Sequence, residues 1–257
     1  MREVELVIVG GGPAGLSAAI EAAQYGAEVV VLDENSHPGG QIYRSLPPSF
    51  RVCNESALGK DFRDGRALVQ AFEALGSRVE LWENYLVWGI FPGREVAFLH
   101  EGEVSRLKAR ALILAPGAYD RPVPFPGWTL PGVFGLGGLQ RFVKTERVIP
   151  GRRVLLSGTG PLLWVVAAQL VHVGIEVAAV LDTASYLSGW RYLPSLLSGW
   201  GLFWEGLKYL RDLRGAGVPL LQRHAILEAR GTDEVQEAVY GPVDSEGRPV
   251  AGRTHKI

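Results

Sequence analysis

The chain has 257 residues, 47% hydrophobic and 21% charged, with 26 basic against 27 acidic residues and a formal charge of −1. That length accommodates one large domain or two modest ones, with a core that needs no disulfide staples. The charge balance argues against an electrostatic nucleic-acid binder. The single cysteine, Cys53, excludes a disulfide framework, a cysteine zinc site, an iron–sulfur cluster and a CxxC redox pair within these residues.

In chain order, residues 4–9 (VELVIV) predict a short buried strand that runs into Gly10-Gly11-Gly12-Pro13-Ala14-Gly15. A helix follows to Gly26, then a second buried strand, EVVVLD. Strand, glycines, helix and strand in about 30 residues make a βαβ unit. Residues 61–76 have helical spacing with Gly76 as its stop. RVELW, YLVWGIF, EVAFLH and SRLKA predict one more sheet strand and a small antiparallel meander, and ALILAPG a separate buried strand. Residues 121–132 hold Pro122, Pro124, Pro126 and Pro131 and suit an extended interdomain linker.

RVLLSG, the turn and helix of 159–174, and VAAVLD form a second βαβ unit. Gly10, Gly12, Pro13 and Gly26 align with Gly158, Gly160, Pro161 and Gly174, an internal repeat that implies two similar domains. Tyr186, Trp190, Tyr192, Trp200, Phe203 and Trp204 make an aromatic segment, read as a helical cover or a partner surface. Residues 203–213 predict an amphipathic helix with Phe203, Leu207, Leu210 and Leu213 on one face. The tail, 217–250, predicts strands and a hairpin around DSEG. The longest apolar run, Pro161 to Val171, is shorter than the roughly 20 residues of a membrane span, and the expectation is a cytoplasmic protein.

The first glycine motif carries the chemistry. Gly10 permits a tight turn, Gly12 lets the backbone approach a pyrophosphate, and Gly15 allows close helix–strand packing. Pro13 and Ala14 open the helix, whose N-terminus favours anions. Asp33 lies near the roughly 20-residue spacing of a ribose-binding acid, with Glu34 as the alternative. Gly40 and Gln41, in His37-Pro38-Gly39-Gly40-Gln41, could run close to a bound dinucleotide. In the second unit Gly158 and Gly160 remain, Leu163 replaces the third glycine, and Asp182 could hold a ribose and disfavour a 2′-phosphate. No general base, nucleophile or metal ligand stands out, so the catalytic residues are left unassigned.

VIVGGGPAG, VVVLDE, PGGQIYR, ALILAPGAYDRPVPFPGWTLPGV and GTGPLLWVVAAQLVHVG together resemble one flavoprotein group over nearly the whole chain. These are the FAD/NAD(P)-binding A (α) subunits of opine oxidases, dye-linked proline dehydrogenases and hydrogen cyanide synthase, related to the α subunit of sarcosine oxidase. The resemblance implies an α/β fold with two Rossmann-like dinucleotide-binding domains, as in thioredoxin reductase, the second inserted in the first. It implies residues 1–120 as an FAD domain lacking its return strand and 121–257 as an NAD(P)-binding-like domain. It implies FAD in the first and NAD(P) or another adenine nucleotide in the second.

Carried over, Gly10, Gly12 and Gly15 hold the FAD pyrophosphate, Asp33 the ribose, and Gly40 and Gln41 lie along the FAD. Ala115-Pro116-Gly117 matches the family's Ala-Thr-Gly, with a hydroxyl and an N–H lost at Pro116. Arg121 matches a family arginine. The implied function is an FAD-dependent oxidoreductase subunit that oxidises an amine or imino acid with a second flavoprotein subunit, and with any iron–sulfur centre on a separate subunit. The family's return strand and cysteine-rich C-terminal region are not found, which reads as a truncated, split or reduced member. The alternatives are a non-catalytic nucleotide-binding scaffold and a stand-alone NAD(P)H-dependent flavin reductase.

Overall fold

A computed structural model describes residues 1–43, 46–47, 49–53, 60–185, 200–250 and 252–257. It divides into two compact units, Met1–Tyr119 and Asp120–Ile257.

In the first unit, β1 (Arg2–Val9), α1 (Pro13–Gln24), β2 (Val29–Asp33), α2 (Lys60–Glu73), β3 (Val79–Glu83), β4 (Leu86–Phe91), β5 (Glu95–His100) and β6 (Glu103–Leu114) follow in order. They build one six-stranded sheet, ordered β3-β2-β1-β6-β5-β4. β3, β2, β1 and β6 are parallel; β6, β5 and β4 are antiparallel. Every residue of β2 is buried, as a strand covered on both faces requires. Alternate residues separate into two cores. Leu6, Ile8, Val29 and Val31 pack with Leu16, Ala19 and Ala23 of α1 and Phe72 of α2. Val4, Val7, Val30 and Leu32 pack with Val96, Phe98, Leu107 and Ala109.

Two expectations change here. SRLKA and ALIL are one twelve-residue strand, β6, because no turn residue interrupts 103–114. Its first half pairs antiparallel with β5 and its second half parallel with β1. α2 ends at Glu73, and Gly76, at φ +58°, opens a short 3-10 turn.

In the second unit, α3 (Leu136–Arg141) leads to β7 (Arg153–Gly158), α4 (Leu162–His172), β8 (Glu176–Asp182), α5 (Trp200–Gly215), β9 (Leu220–Gln222), β10 (His224–Arg230), β11 (Glu237–Pro242) and β12 (His255–Lys256). β7, β8 and β9 make a parallel sheet; β10, β11 and β12 an antiparallel one. Val166, Ala167 and Leu170 of α4 pack with Val177 and Val180 of β8 and with Leu213 of α5. On α5 the buried side is built around Leu213 and Tyr209, one turn apart. Leu207, expected on that face, lies well off it and is exposed. The DSEG turn closes a hairpin, with Asp244 Oδ1 accepting from Glu246 N (2.8 Å) and Arg248 N (2.9 Å).

The proline-rich segment is partly docked rather than free. Pro126 O accepts from Ala229 N and Pro131 O from Val235 N, each at 2.8 Å. Tyr186, Trp190 and Tyr192, with the side chains of Trp200 and Phe203, lie outside the described residues; Trp204 is exposed. No helix among the described residues is long and apolar enough to cross a membrane.

Candidate functional site

The first unit gathers its motif residues at the C-terminal ends of β1, β2 and β6. Gly10 takes φ +104°, and a Cβ there would overlap the Ala115 carbonyl oxygen at the end of β6. A Cβ on Gly15 would overlap the Gly10 carbonyl oxygen, so α1 sits on β1 only because both are glycine. Gly12 caps α1 at φ −77° and Pro13 is its first residue. Leu16 N donates to Gly12 O at 2.9 Å, the first bond of the helical ladder. The Ala14 and Gly15 N–H groups precede that ladder, at the positive end of the helix dipole.

Asp33 is 5% exposed at the end of β2. Its Oδ2 accepts from Gly11 N, and its Oδ1 from Asn35 N (2.7 Å) and Asn35 Nδ2 (2.8 Å). A carboxylate has about four acceptor positions, so Oδ2 retains one for a hydroxyl. Glu34 is exposed and accepts from the Tyr119 hydroxyl.

The Pro38-Gly39-Gly40 turn lies against the glycine loop. Gly39 N donates to Gly11 O at 2.8 Å, and a Cβ on Gly40 would come 2.8 Å from Gly12 Cα. Backbone contact with Gly12 thus explains Gly40. Gln41 is exposed on the same turn, and Gly117, at φ +75°, lies on the exit from β6.

The second unit keeps the plan and changes the turn. Positive φ moves from the first glycine to the second: Gly160 is at +95°, and α4 starts after Pro161, one residue later than α1 does in the repeat. Leu163 N donates to Gly160 O (3.3 Å) and Trp164 N to Pro161 O (3.0 Å). This 3-10 closure uses the Leu163 N–H, whose counterpart in the repeat, Gly15 N, stays ahead of the α1 ladder. The Leu163 side chain is 1% exposed, and a Cβ on Gly158 would touch its Cδ2 at 3.4 Å. Leu163 thus packs its side chain against Gly158, where the first unit instead brings the Gly15 backbone directly against Gly10.

Asp182 is 2% exposed and accepts from Ala184 N at 2.9 Å. Burial raises the pKa of its carboxyl from the ordinary value, and backbone donors from Ala184 and Gly160 oppose the shift. Thr159 and Thr183 join hydroxyls across the two strand exits.

Arg121 is exposed on the proline-rich segment, and Cys53 is an exposed free thiol. No group of acidic, His and Cys side chains among the described residues could hold a metal. Sequence reasoning passed over Gly11 and Asn35, which fix Asp33, and Tyr119, which meets Glu34. The Asn35 contact follows the short-range Asx-turn pattern; Tyr119 gave no local signal.

The hydrogen cyanide synthase subunit HcnB of Pseudomonas aeruginosa is 40% identical over 95% of this chain and 52% of its own length. An opine oxidase subunit of Rhizobium meliloti is 35% identical over 95% of this chain and 54% of its own length. The chain therefore spans about half the length of the curated relatives it matches. Among solved structures, T. acidophilum thioredoxin reductase superimposes with a TM-score of 0.63 at 19% identity, over 100% of this chain and 74% of that one. Both relatives are named as subunits of enzymes, and the family comprises oxidoreductases that bind FAD and pyridine nucleotides. The pyridine nucleotide-disulphide oxidoreductase model matches residues 4–200, and the chain belongs to that family.

Proposed function

We propose that this chain is the FAD-binding portion of a flavin-dependent oxidoreductase that oxidises an amine or imino acid together with a second subunit. The observation that carries the reading is the first glycine loop. Ala14 and Gly15 N–H precede the α1 ladder, and Gly11 N of the same loop holds the Asp33 carboxylate at the end of β2. Donors at a helix N-terminus bind phosphate oxygens, and a carboxylate at the second strand binds ribose hydroxyls. These residues fit a dinucleotide.

When bound, FAD supplies the two-electron chemistry, and the protein supplies orientation and electrostatics. Gly12 leaves room for the pyrophosphate, Pro13 starts the helix without adding an N–H, and Gly11 N fixes the Asp33 carboxylate. Gly10 and Gly15 hold α1 close on β1. The thiol chemistry in the family's name has no counterpart in these residues, since Cys53 is the only cysteine. Any disulfide or iron–sulfur relay therefore draws on residues outside this sequence.

The second unit is the weaker nucleotide site in this reading. Asp182 and the Thr159 and Thr183 hydroxyls suit the ribose of an adenine nucleotide, NAD among them. The 3-10 closure of α4 leaves fewer phosphate donors than α1 offers. Amine oxidation and a partner subunit rest on the relatives named as opine oxidase and hydrogen cyanide synthase subunits.

Titration of the purified chain with FAD tests the reading. Saturation at one FAD per chain is expected, followed by weaker calorimetric binding of NAD to the loaded protein. Absence of FAD binding refutes it.

A further inference from the structure

The mouth of the first glycine loop is crossed by a side-chain bridge. Glu34 directly follows β2, and Tyr119 lies on the segment that leaves β6. The sheet order puts β1 and its glycine loop between these two exits. β2 and β6 are thus about 9–10 Å apart, two strand spacings. The Tyr119 hydroxyl nonetheless donates to Glu34 Oε1, so the bond spans the C-terminal end of β1.

Both ends are anchored by backbone bonds. On the β2 side, Tyr85 N donates to Asp33 O (2.8 Å) and Asn84 N to Asn35 O (3.1 Å). On the β6 side, Ala115 N donates to Val9 O (2.8 Å). The Tyr119 side chain itself is not part of a core: the residue is 70% exposed, and Glu34 is exposed as well. Neither packs in the clusters that hold the sheet. A phenol donating to a carboxylate is charge-assisted and stronger than a neutral pair. A bond of this kind, between the strand exits that flank the glycine loop and outside the hydrophobic cores, acts on passage rather than on stability.

We propose that Tyr119, held by Glu34 across the glycine loop, is a positioning residue that retains the flavin dinucleotide in the first unit; the proposal rests on the FAD reading above. The bridge must open for the dinucleotide to enter or leave. It therefore slows uptake and release together and changes the equilibrium affinity little.

The test loads the purified chain with FAD, then follows the return of free-flavin fluorescence after dilution into an excess of an apo-flavoprotein scavenger. Tyr119→Phe removes only the hydroxyl of an exposed ring, and Glu34→Ala removes the acceptor. Each variant is expected to release FAD about three- to tenfold faster and to take it up faster by a similar factor. The double variant should be no faster than either single one, because all three lose the same bond. Tyr25→Phe, a phenol 84% exposed at the end of α1, should release at the parent rate. Release from Tyr119→Phe at the parent rate, or strictly additive effects in the double variant, overturns the latch while leaving FAD binding intact. Failure of the parent chain to bind FAD overturns the underlying reading instead, and the latch with it.

Discussion

A Cβ at Gly15 would overlap the Gly10 carbonyl oxygen, whereas one at Gly12 meets only Gly40 Cα at 3.8 Å, with φ in a region open to any residue. The two glycines of one motif therefore have separable roles. Gly15→Val is expected to destabilise the first unit by about 2 kcal/mol or more through steric strain, read as a lowered thermal midpoint with FAD binding lost alongside. Gly12→Val is expected to keep its midpoint within a few degrees and still lose FAD, because the added bulk occupies the room kept for the pyrophosphate. Equal melting losses in both variants would contradict that division.

Asp182 gives a different residue-scale expectation. Its pKa is raised by burial, so the folded state holds a proton more tightly than the unfolded chain does. The stabilisation is present at low pH and is lost as pH rises from the ordinary carboxylate range through the raised value. Asp182→Asn keeps an acceptor for Ala184 N and removes the buried charge. Its midpoint relative to the parent should therefore improve from acid to neutral pH, followed by circular dichroism. A difference that stays flat or falls across that range would contradict the burial argument.

At the scale of elements, the helix following each glycine loop shows how far pattern reading reaches. Both βαβ units were legible because hydrophobic runs, glycines and helical spacing are local signals. The turn inside the second unit was not. Leu163 in place of glycine signals altered packing, but the sequence does not show that positive φ passes to Gly160 or that Leu163 N and Trp164 N close a 3-10 turn. Those details depend on how α4 settles over β7, a tertiary outcome. Leu163→Ala is expected to destabilise the second unit by about 2–5 kcal/mol, since the side chain fills a sealed gap. A chemical denaturation midpoint close to the parent's would show that the gap is not sealed.

The same limit explains β6. Nothing in SRLKA or ALIL reveals that one strand serves an antiparallel neighbour with its first half and a parallel one with its second. Tyr119 was invisible for a similar reason. Its partner, Glu34, is distant in sequence and is brought near only by the order of the sheet.

On the scale of the whole molecule, the chain holds two compact units, the first with one sheet between two cores and the second with two sheets and one core cluster among the described residues, each with its own glycine turn. They are unequal. The first keeps three motif glycines and the Gly15 N–H ahead of the helical ladder, and the second has Leu163 at the third glycine position and uses its N–H on Gly160 O. That asymmetry supports the proposed placement of FAD in the first unit. The most direct measurement is an FAD titration of the parent chain beside Gly12→Val, read by flavin fluorescence quenching with thermal midpoints recorded in parallel. One FAD per parent chain, with none bound by a folded Gly12→Val variant, is the expected result. Equal FAD binding by the two proteins, or binding by neither, would contradict the assignment of the cofactor to the first glycine loop.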